Sequence, residues 1–196
     1  MHNSHFYRIA ITPPEISTGE ADYITVILDA GWDYVHLRHP KASTSEVRRI
    51  IESIPQQHHR RLKLHGHFEL INEFNLGGLH LNHRCPAPPA LYSGALSKSC
   101  HSIEETADIG RYEYVTLSPI FDSISKTGYK AAFTDRALTE IPPSKVIALG
   151  GITPERLHDV MQYPFSGIAV LGYLFNATDS KNLRQRIAEF ETKLNR

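Results

Sequence analysis

The sequence predicts one α/β domain over residues 1–196, a (β/α)8 TIM barrel with some shortened connecting helices. Short β-branched runs alternate with helical patterns along the chain, which is typical of repeated βα units and a parallel sheet. Eight such runs can be counted. Residues 145–151 (KVIALGG) and 167–172 (GIAVLG) are apolar strands that run into glycine, as do the phosphate-binding loops at the end of many such barrels.

Local patterns place the individual elements. Strands are predicted at residues 7–12, 34–37, 62–64, 78–81, 95–99, 114–117, 145–149 and 167–170. Helices are predicted at residues 20–30, 44–54, 103–109, 154–161 and about 180–194, with Thr153 and Pro154 at the start of the fourth. Residues 68–75 and the segment CPAPPALYSG leave little room for a helix. An open doubly wound sheet is the alternative, and the strand count favours closure.

Composition narrows the class of function. The chain is 41% hydrophobic and carries 21 acidic and 21 basic residues, which indicates neither disorder nor electrostatic attraction to nucleic acid. We therefore expect a small-molecule ligand. No run approaches the roughly 20 apolar residues of a membrane span, and the N-terminus lacks the apolar core of a signal peptide, so we expect a cytoplasmic protein without membrane contact. Cys85 and Cys100 have no metal or redox spacing, which predicts free thiols.

The two glycine-ended strands predict a phosphate pocket. Glycine lets the backbone approach closely and adopt positive φ, and N–H groups at the start of a following helix attract an anion. The loop after the sixth predicted strand, SPIFDSISKTGYK, is hydroxyl-rich and basic and contains Ser123, Ser125 and Lys126. It either closes over the phosphate or is an ordinary solvated loop. Its place beside the glycine pocket favours ligand binding.

Histidine and arginine side chains follow four consecutive predicted strands. Active sites of barrel enzymes lie where the strands end, so this pattern predicts a pocket there. For any single histidine the alternative is a polar tip at the edge of the core. In chain order the strand-end groups are His36, Arg38 and His39, then His65, Gly66 and His67, then His80, Asn82, His83 and Arg84, then Ser99 and His101.

His101 is the candidate for proton transfer. It follows Ser99 at period two and precedes Ser102 and Glu105, whose spacing predicts a capping box at a helix start. A helix N-terminus favours the neutral form of histidine, which suits a general base near neutral pH. Arg38 is the candidate to bind a carboxylate or phosphate through its planar guanidinium, the alternative being a surface ion pair.

A metal site is the competing interpretation of the sequence His65-Gly66-His67, because two imidazoles at that spacing can reach one ion. Metal-dependent barrel hydrolases are usually longer and add carboxylates at later strand ends. Here the last three strands end in Ser118, Gly150 and Leu171. We therefore expect no bound metal.

Four segments in the second half, SKSCHSIEE, YVTLSPIFDSISK, ALGGITPERL and GIAVLG, resemble the thiamine phosphate synthase and TenI superfamily in order and spacing. The resemblance implies a barrel, often dimeric, that binds a thiazole phosphate. It implies that the phosphate is held by the backbone at Gly151, Leu171 and Gly172 and by the hydroxyls of Ser123 and Ser125.

The first half of the chain separates the two activities of that superfamily. The synthase joins a pyrimidine diphosphate to thiazole phosphate with Mg²⁺, and its pattern is Q-x-R-x-K, N-D-D and H-x-G-Q-x-D after strands two, three and four. The arginine is kept as Arg38 and the histidine as His80, whereas Pro40 replaces the lysine and Gly66 and Cys85 replace two carboxylates. Mg²⁺ is a hard cation that prefers carboxylate oxygens, so the resemblance favours the TenI branch.

TenI-type proteins resemble thiazole tautomerases, which shift a proton in a dihydrothiazole carboxylate phosphate without a metal or other cofactor. By this resemblance, His101 moves the proton, Arg38 with His36 or His65 binds the carboxylate, and Ser99 and Lys126 also contact the substrate. The alternatives are the Mg²⁺-dependent synthase and a non-catalytic phosphate-ligand-binding paralogue that keeps the barrel.

Overall fold

The computed structural model describes residues 5–107, 109–122, 131–142 and 144–194. Within these ranges eight parallel strands form a closed barrel in chain order, and the first strand pairs with the last. The predicted (β/α)8 TIM barrel is confirmed, and the open sheet is excluded. The strands are β1 (Tyr7–Ile11), β2 (Tyr34–Leu37), β3 (Leu62–Leu64), β4 (Gly78–Leu81), β5 (Leu96–Cys100), β6 (Tyr114–Leu117), β7 (Val146–Leu149) and β8 (Gly167–Val170).

The described α-helices are short except at the two ends of the chain. They are α1 (Glu20–Asp29), α2 (Thr44–Ser53), α3 (Asp135–Thr139), α4 (Leu157–Val160), α5 (Gly172–Phe175) and α6 (Ser180–Leu194). Single 3-10 segments lie at Gln56–Arg61, Phe68–Asn72, Glu104–Thr106 and Pro154–Arg156. The connections after β3 and β5 therefore hold 3-10 turns in place of full helices.

Two predicted helices are wrong in detail. The segment 103–109 forms only the 3-10 turn Glu104–Thr106 in its described part. Its two large apolar residues, Ile103 and Ile109, are six positions apart, so they would project from different faces of an α-helix and could not both pack on the barrel. The helix predicted from Pro154 divides into a 3-10 turn and α4, and the side chain of Thr153 makes no capping bond.

Helix α2 begins with a capping box, and helix α6 buries an apolar face. Ser43 and Glu46 form a capping box, because each side chain bonds the other residue's backbone N–H at the start of α2. In α6, Leu183, Ile187 and Phe190 recur at helical spacing and are buried. These apolar faces pack on the outward side chains of the strands and form the larger hydrophobic cluster.

The interior of the barrel is divided into an apolar and a polar wall. Side chains along a barrel strand alternate between interior and exterior. From β7, β8 and β1 the interior receives Ile147, Ala169, Ile9 and Ile11, which form a second hydrophobic cluster together with Tyr114 of β6. From β2 to β6 it receives polar side chains, all buried: His36, Lys63, His80, Ser97 and Thr116. The polar wall is thus built by five consecutive strands.

A buried ion pair lies at the amino-terminal end of the polar wall. Lys63 Nζ lies 2.8 Å from Glu113 Oε2, and its side chain has no exposed surface. The ammonium also lies over the ring of Tyr34, 4.6 Å from its centroid, and the Tyr34 hydroxyl donates to Glu113. Burial lowers the pKa of Lys63, and Glu113 opposes that shift by stabilising the charged form.

None of the helices in the described part of the chain is both long enough and apolar enough to cross a membrane.

Candidate active site

Three histidines meet inside the polar wall near the carboxyl ends of the strands. His36 Nδ1 lies 2.7 Å from His65 Nε2, and the rings of His65 and His80 stack with their centroids 4.1 Å apart. One ring nitrogen from each of the three lies within 4.8 Å of the others. His36 and His80 are buried and His65 is half-buried. We call this group the histidine cluster.

Strand order explains why these residues meet. The three neighbours β2, β3 and β4 are paired in parallel, with His36 opposite Lys63 and Lys63 opposite Gly78. His65 extends the ladder one residue beyond β3, because its backbone N–H donates to Leu37 O at 3.1 Å. Positions two residues apart on one strand face the same side, so Lys63 places His65 inward as well.

Hydroxyl groups hold the rings of the histidine cluster in place. His36 Nε2 lies 2.6 Å from the hydroxyl of Tyr114. His80 has both ring nitrogens on hydroxyls, with Nδ1 at 2.9 Å from Ser97 Oγ and Nε2 at 2.9 Å from Ser99 Oγ. Ser99 was predicted as a site residue, whereas Ser97 and Tyr114 were missed. Their period-two positions on β5 and β6 were the signal available in the sequence.

The imidazoles of the cluster are neutral near physiological pH. Burial, followed by the charge of Lys63, lowers the pKa of His80 to about 3. Burial also lowers the pKa of His36 and of His65 well below the usual range, and neighbouring histidines add to both shifts. Each ring therefore has one N–H donor and one lone pair.

Two arginines lie close enough to the cluster for their charges to act on His65. Arg38 is half-buried, and its backbone N–H donates to Thr12 Oγ1 at 2.8 Å, which fixes the turn after β2. The positive charges of Arg38 and of the exposed Arg84 both help to lower the pKa of His65, so both guanidinium groups lie near this ring. The opening is consequently electropositive, as expected for a site that binds anions.

His101 lies at the end of β5, exposed to solvent. Its Nδ1–H donates to Ser118 O at 3.2 Å, which leaves the lone pair of the neutral ring on Nε2. Its backbone N–H donates to the carboxylate of Glu105 at 2.8 Å. The expected helix N-terminus is absent from the described part of this segment, since only one 3-10 turn follows. The hydrogen bond to Ser118, rather than a helix dipole, orients the ring.

The glycine segments after β7 and β8 reach the same end of the barrel. Leu149 pairs with Ala169, which places Gly151 and the Leu171–Gly172 pair at neighbouring strand ends. Gly151 has φ +66°, and a Cβ there would lie 2.4 Å from the backbone oxygen of Asp122. Only glycine permits this close approach between the loops after β6 and β7. Phosphate binding by Gly151, Leu171 and Gly172 stays a prediction, and Ser123, Ser125 and Lys126 lie outside the described residues.

Two strand-end histidines face other partners. His39 Nε2 lies 2.8 Å from Glu20 Oε1, and both side chains are buried. His67 has φ +53°, and its Nδ1 lies 3.1 Å from Thr44 Oγ1. The left-handed turn at His67 directs it away from the cluster. The pairing of His65 with His67 considered from the sequence is thus not formed, and His65 pairs instead with histidines of the neighbouring strands.

The positions where the resemblance implies carboxylates for Mg²⁺ lie side by side. A Cβ built on Gly66 would be 4.0 Å from Cys85 Sγ. Two carboxylates there could share one cation, but a glycine and a thiol offer no oxygen ligand. The residues present in this chain therefore do not fit Mg²⁺ at that position.

The sequence of this chain matches one protein family and several named proteins. A family model described as thiamine monophosphate synthase, TMP-TENI, matches residues 8–174. The thiamine-phosphate synthase of Cronobacter sakazakii is 26% identical over 185 residues, covering 86% of this chain and 87% of that protein. The thiamine-phosphate synthase of Salinibacter ruber is also 26% identical, over 144 residues, but this chain spans only 62% of its length.

A solved structure is more similar still. The crystal structure of thiamine phosphate pyrophosphorylase from Bacteroides thetaiotaomicron is 33% identical to this chain and superimposes with a TM-score of 0.85. The match covers 97% of this chain and 98% of that one. The match therefore spans both the strands that carry the histidine cluster and the strands that precede the glycine segments.

Proposed function

Because the chain belongs to the thiamine monophosphate synthase and TenI family, we propose that it is a thiamine-biosynthesis enzyme that joins a pyrimidine diphosphate to a thiazole phosphate. The observation that carries the proposal is the 33% identity, over nearly the whole chain, to a protein named thiamine phosphate pyrophosphorylase. The sequence favoured the tautomerase, but the named relatives described above are synthases. They support the synthase as the first candidate.

The distribution of charge supports a reaction between two anionic substrates. The glycine segments after β7 and β8 offer a backbone site for the phosphate of the thiazole. Arg38 and Arg84 lie on the other side of the opening, near His65. A guanidinium bonds two phosphate oxygens at once. A diphosphate leaving group fits this half of the opening.

The reaction forms a bond from the thiazole nitrogen to the pyrimidine methylene carbon as the bond from that carbon to diphosphate breaks. The negative charge that develops on the diphosphate needs positive groups nearby. Arg38 would stabilise it by direct hydrogen bonds, and the glycine segments would hold the thiazole phosphate so that its nitrogen faces the carbon. No proton has to be removed by the protein in this step.

The metal-free thiazole tautomerase is the second candidate, and the environment of His101 favours it. The hydrogen bond from Nδ1–H to Ser118 O leaves the Nε2 lone pair available to accept a proton. The glycine and the thiol at positions 66 and 85 also suit a reaction that needs no Mg²⁺. In that reaction Arg38 would bind the carboxylate of the substrate while His101 moves the proton.

One pair of assays separates the candidates. The protein is incubated with pyrimidine diphosphate and thiazole phosphate, and thiamine phosphate and released diphosphate are measured. A separate sample receives the dihydrothiazole carboxylate phosphate in D₂O, and aromatisation and deuterium incorporation are followed by NMR. Thiamine phosphate formation supports the synthase. Proton exchange without coupling of the two substrates would overturn it in favour of the tautomerase, and activity in neither assay would support the non-catalytic paralogue.

Matched variants test the assigned residues. We expect Arg38→Gln to lower kcat/KM for coupling more than about 10-fold, because a charge-assisted bidentate contact is lost. Arg136→Gln is the control, since the Arg136 side chain is 92% exposed on α3. For the tautomerase, His101→Asn should abolish proton exchange with little loss of ligand affinity, and the exposed His158→Asn should change neither. Unchanged exchange in His101→Asn would remove His101 from the mechanism.

The cytoplasmic location and the homodimer expected from the sequence stay predictions.

A further inference from the structure

We propose that His36, His65 and His80 form a binding site for one borderline transition-metal ion, of which Zn²⁺ is the representative. The inference goes beyond the proposed function and does not depend on it. It rests on three imidazoles from three adjacent strands whose ring nitrogens lie within 4.8 Å of one another.

The spacing of the nitrogens is close to what a tetrahedral ion needs. Zn–N bonds of about 2.0–2.1 Å place two ligand nitrogens about 3.3 Å apart. The observed 2.7 Å between His36 Nδ1 and His65 Nε2 has to widen by only about 0.6 Å. His80 has to give up one of its two serine hydroxyls and turn that nitrogen inward. These are side-chain rotations that leave the strands in place.

The surroundings provide the outer contacts that metal-binding histidines usually have. Ligating imidazoles generally donate their second N–H to a fixed acceptor, which sets the ring orientation. Tyr114 is placed to accept from His36 Nε2, and a serine hydroxyl of β5 is placed to accept from His80. The contact between His36 Nδ1 and His65 Nε2 holds one proton, so one of these two rings has to move that proton to its other nitrogen when both bind the ion.

The donor set selects the class of metal. Three imidazole nitrogens favour Zn²⁺, Co²⁺, Ni²⁺ or Cu²⁺, and they disfavour Mg²⁺, which prefers oxygen. Three protein ligands leave the fourth position of a tetrahedral ion free, as in catalytic zinc sites. His65 is half-buried whereas His36 and His80 are buried, so the free position is accessible from the side of His65 to an oxygen of a bound substrate.

Metal titration of the protein alone tests the proposal without any enzymatic assay. Tag-free protein is stripped with a chelator and titrated with Zn²⁺ against a chromogenic competitor, because the 12 histidines of the chain create weak surface sites that must be distinguished. We expect one tight equivalent that excess Mg²⁺ does not displace. His36→Asn or His80→Asn should weaken it at least about 100-fold, since loss of even an outer contact costs about 10–100-fold.

Two controls and one spectrum make the result decisive. His67→Asn and His83→Asn remove strand-end histidines outside the cluster and should leave the tight equivalent unchanged. If the cluster variants fail to fold, Co²⁺ added to the wild-type protein still decides the question, because a tetrahedral site gives intense visible absorption and surface sites do not. Absence of a tight equivalent, equal loss in His67→Asn, or a Co²⁺ spectrum without tetrahedral bands would overturn the proposal. Loss of synthase activity alone would not bear on it.

Discussion

Substituting Glu113 by glutamine should destabilise the protein, because it leaves the buried Lys63 ammonium without its carboxylate partner. The Nζ–Oε2 distance of 2.8 Å corresponds to an attraction of about 6 kcal/mol at an effective dielectric constant of about 20. The loss has a ceiling, because an unpaired Lys63 can deprotonate. The Glu113 side chain is 26% exposed, so water replaces part of the lost interaction. We expect Glu113→Gln to lower the free energy of unfolding by about 3 kcal/mol, the lower end for a broken buried pair.

The assay is urea unfolding of Glu113→Gln, Lys63→Met and the double variant. Methionine keeps the apolar stem of Lys63 and removes its charge, so we expect the double variant to lie within about 1 kcal/mol of the wild type. Glu140→Gln is the control, because its partner Arg136 is exposed and such pairs contribute less than about 1 kcal/mol. A loss below about 1 kcal/mol in Glu113→Gln, or additive losses in the double variant, would refute the reasoning.

Three further predictions follow from burial and backbone geometry. Gly151→Ala should lower the free energy of unfolding by more than about 1 kcal/mol and weaken the binding of thiazole phosphate measured by calorimetry. The reason is that φ is +66° at this position and the new Cβ would lie 2.4 Å from a backbone oxygen. Gly110→Ala is the control, because nothing lies within 4 Å of its new Cβ. Burial raises the pKa of the Cys100 thiol to about 11. A thiol reagent near pH 8 should therefore label Cys85 first and Cys100 only after unfolding. Rapid labelling of both cysteines in the folded protein would contradict this prediction. Phe190→Ala should cost about 3–5 kcal/mol in urea unfolding, since its fully buried ring packs edge-on against a tryptophan.

The strands could be predicted from the sequence almost to the residue, because most of them are short runs rich in apolar residues, although β5 reads LSKSC. Closure of the barrel followed from their number. The histidines at positions 36, 65 and 80 could also be placed near one another, since β2, β3 and β4 follow in order and parallel neighbours pair in register. In these cases the local sequence pattern was enough to predict which strands pair and which residues lie close together.

The pairings of single side chains could not be predicted. His39 is sequestered by Glu20, which is 19 positions away and carries no local sign of the contact. His67 leaves the strand direction through one left-handed residue, and no sequence rule places that turn on a histidine. Tyr114 on β6 reaches His36 on β2 across the interior of the barrel. Such contacts depend on the barrel's diameter and on side-chain length, which appear only after closure.

The division of the barrel interior has a consequence for how this protein can change over evolution. The glycine segments that are predicted to anchor a phosphate lie after β7 and β8, whereas the histidines, hydroxyls and arginines described above lie on and after β2 to β6. Exchanging a residue of the second group leaves the backbone of the first untouched. New chemistry can therefore arise by point substitutions between β2 and β6 while the segments predicted to anchor the substrate's phosphate stay unchanged.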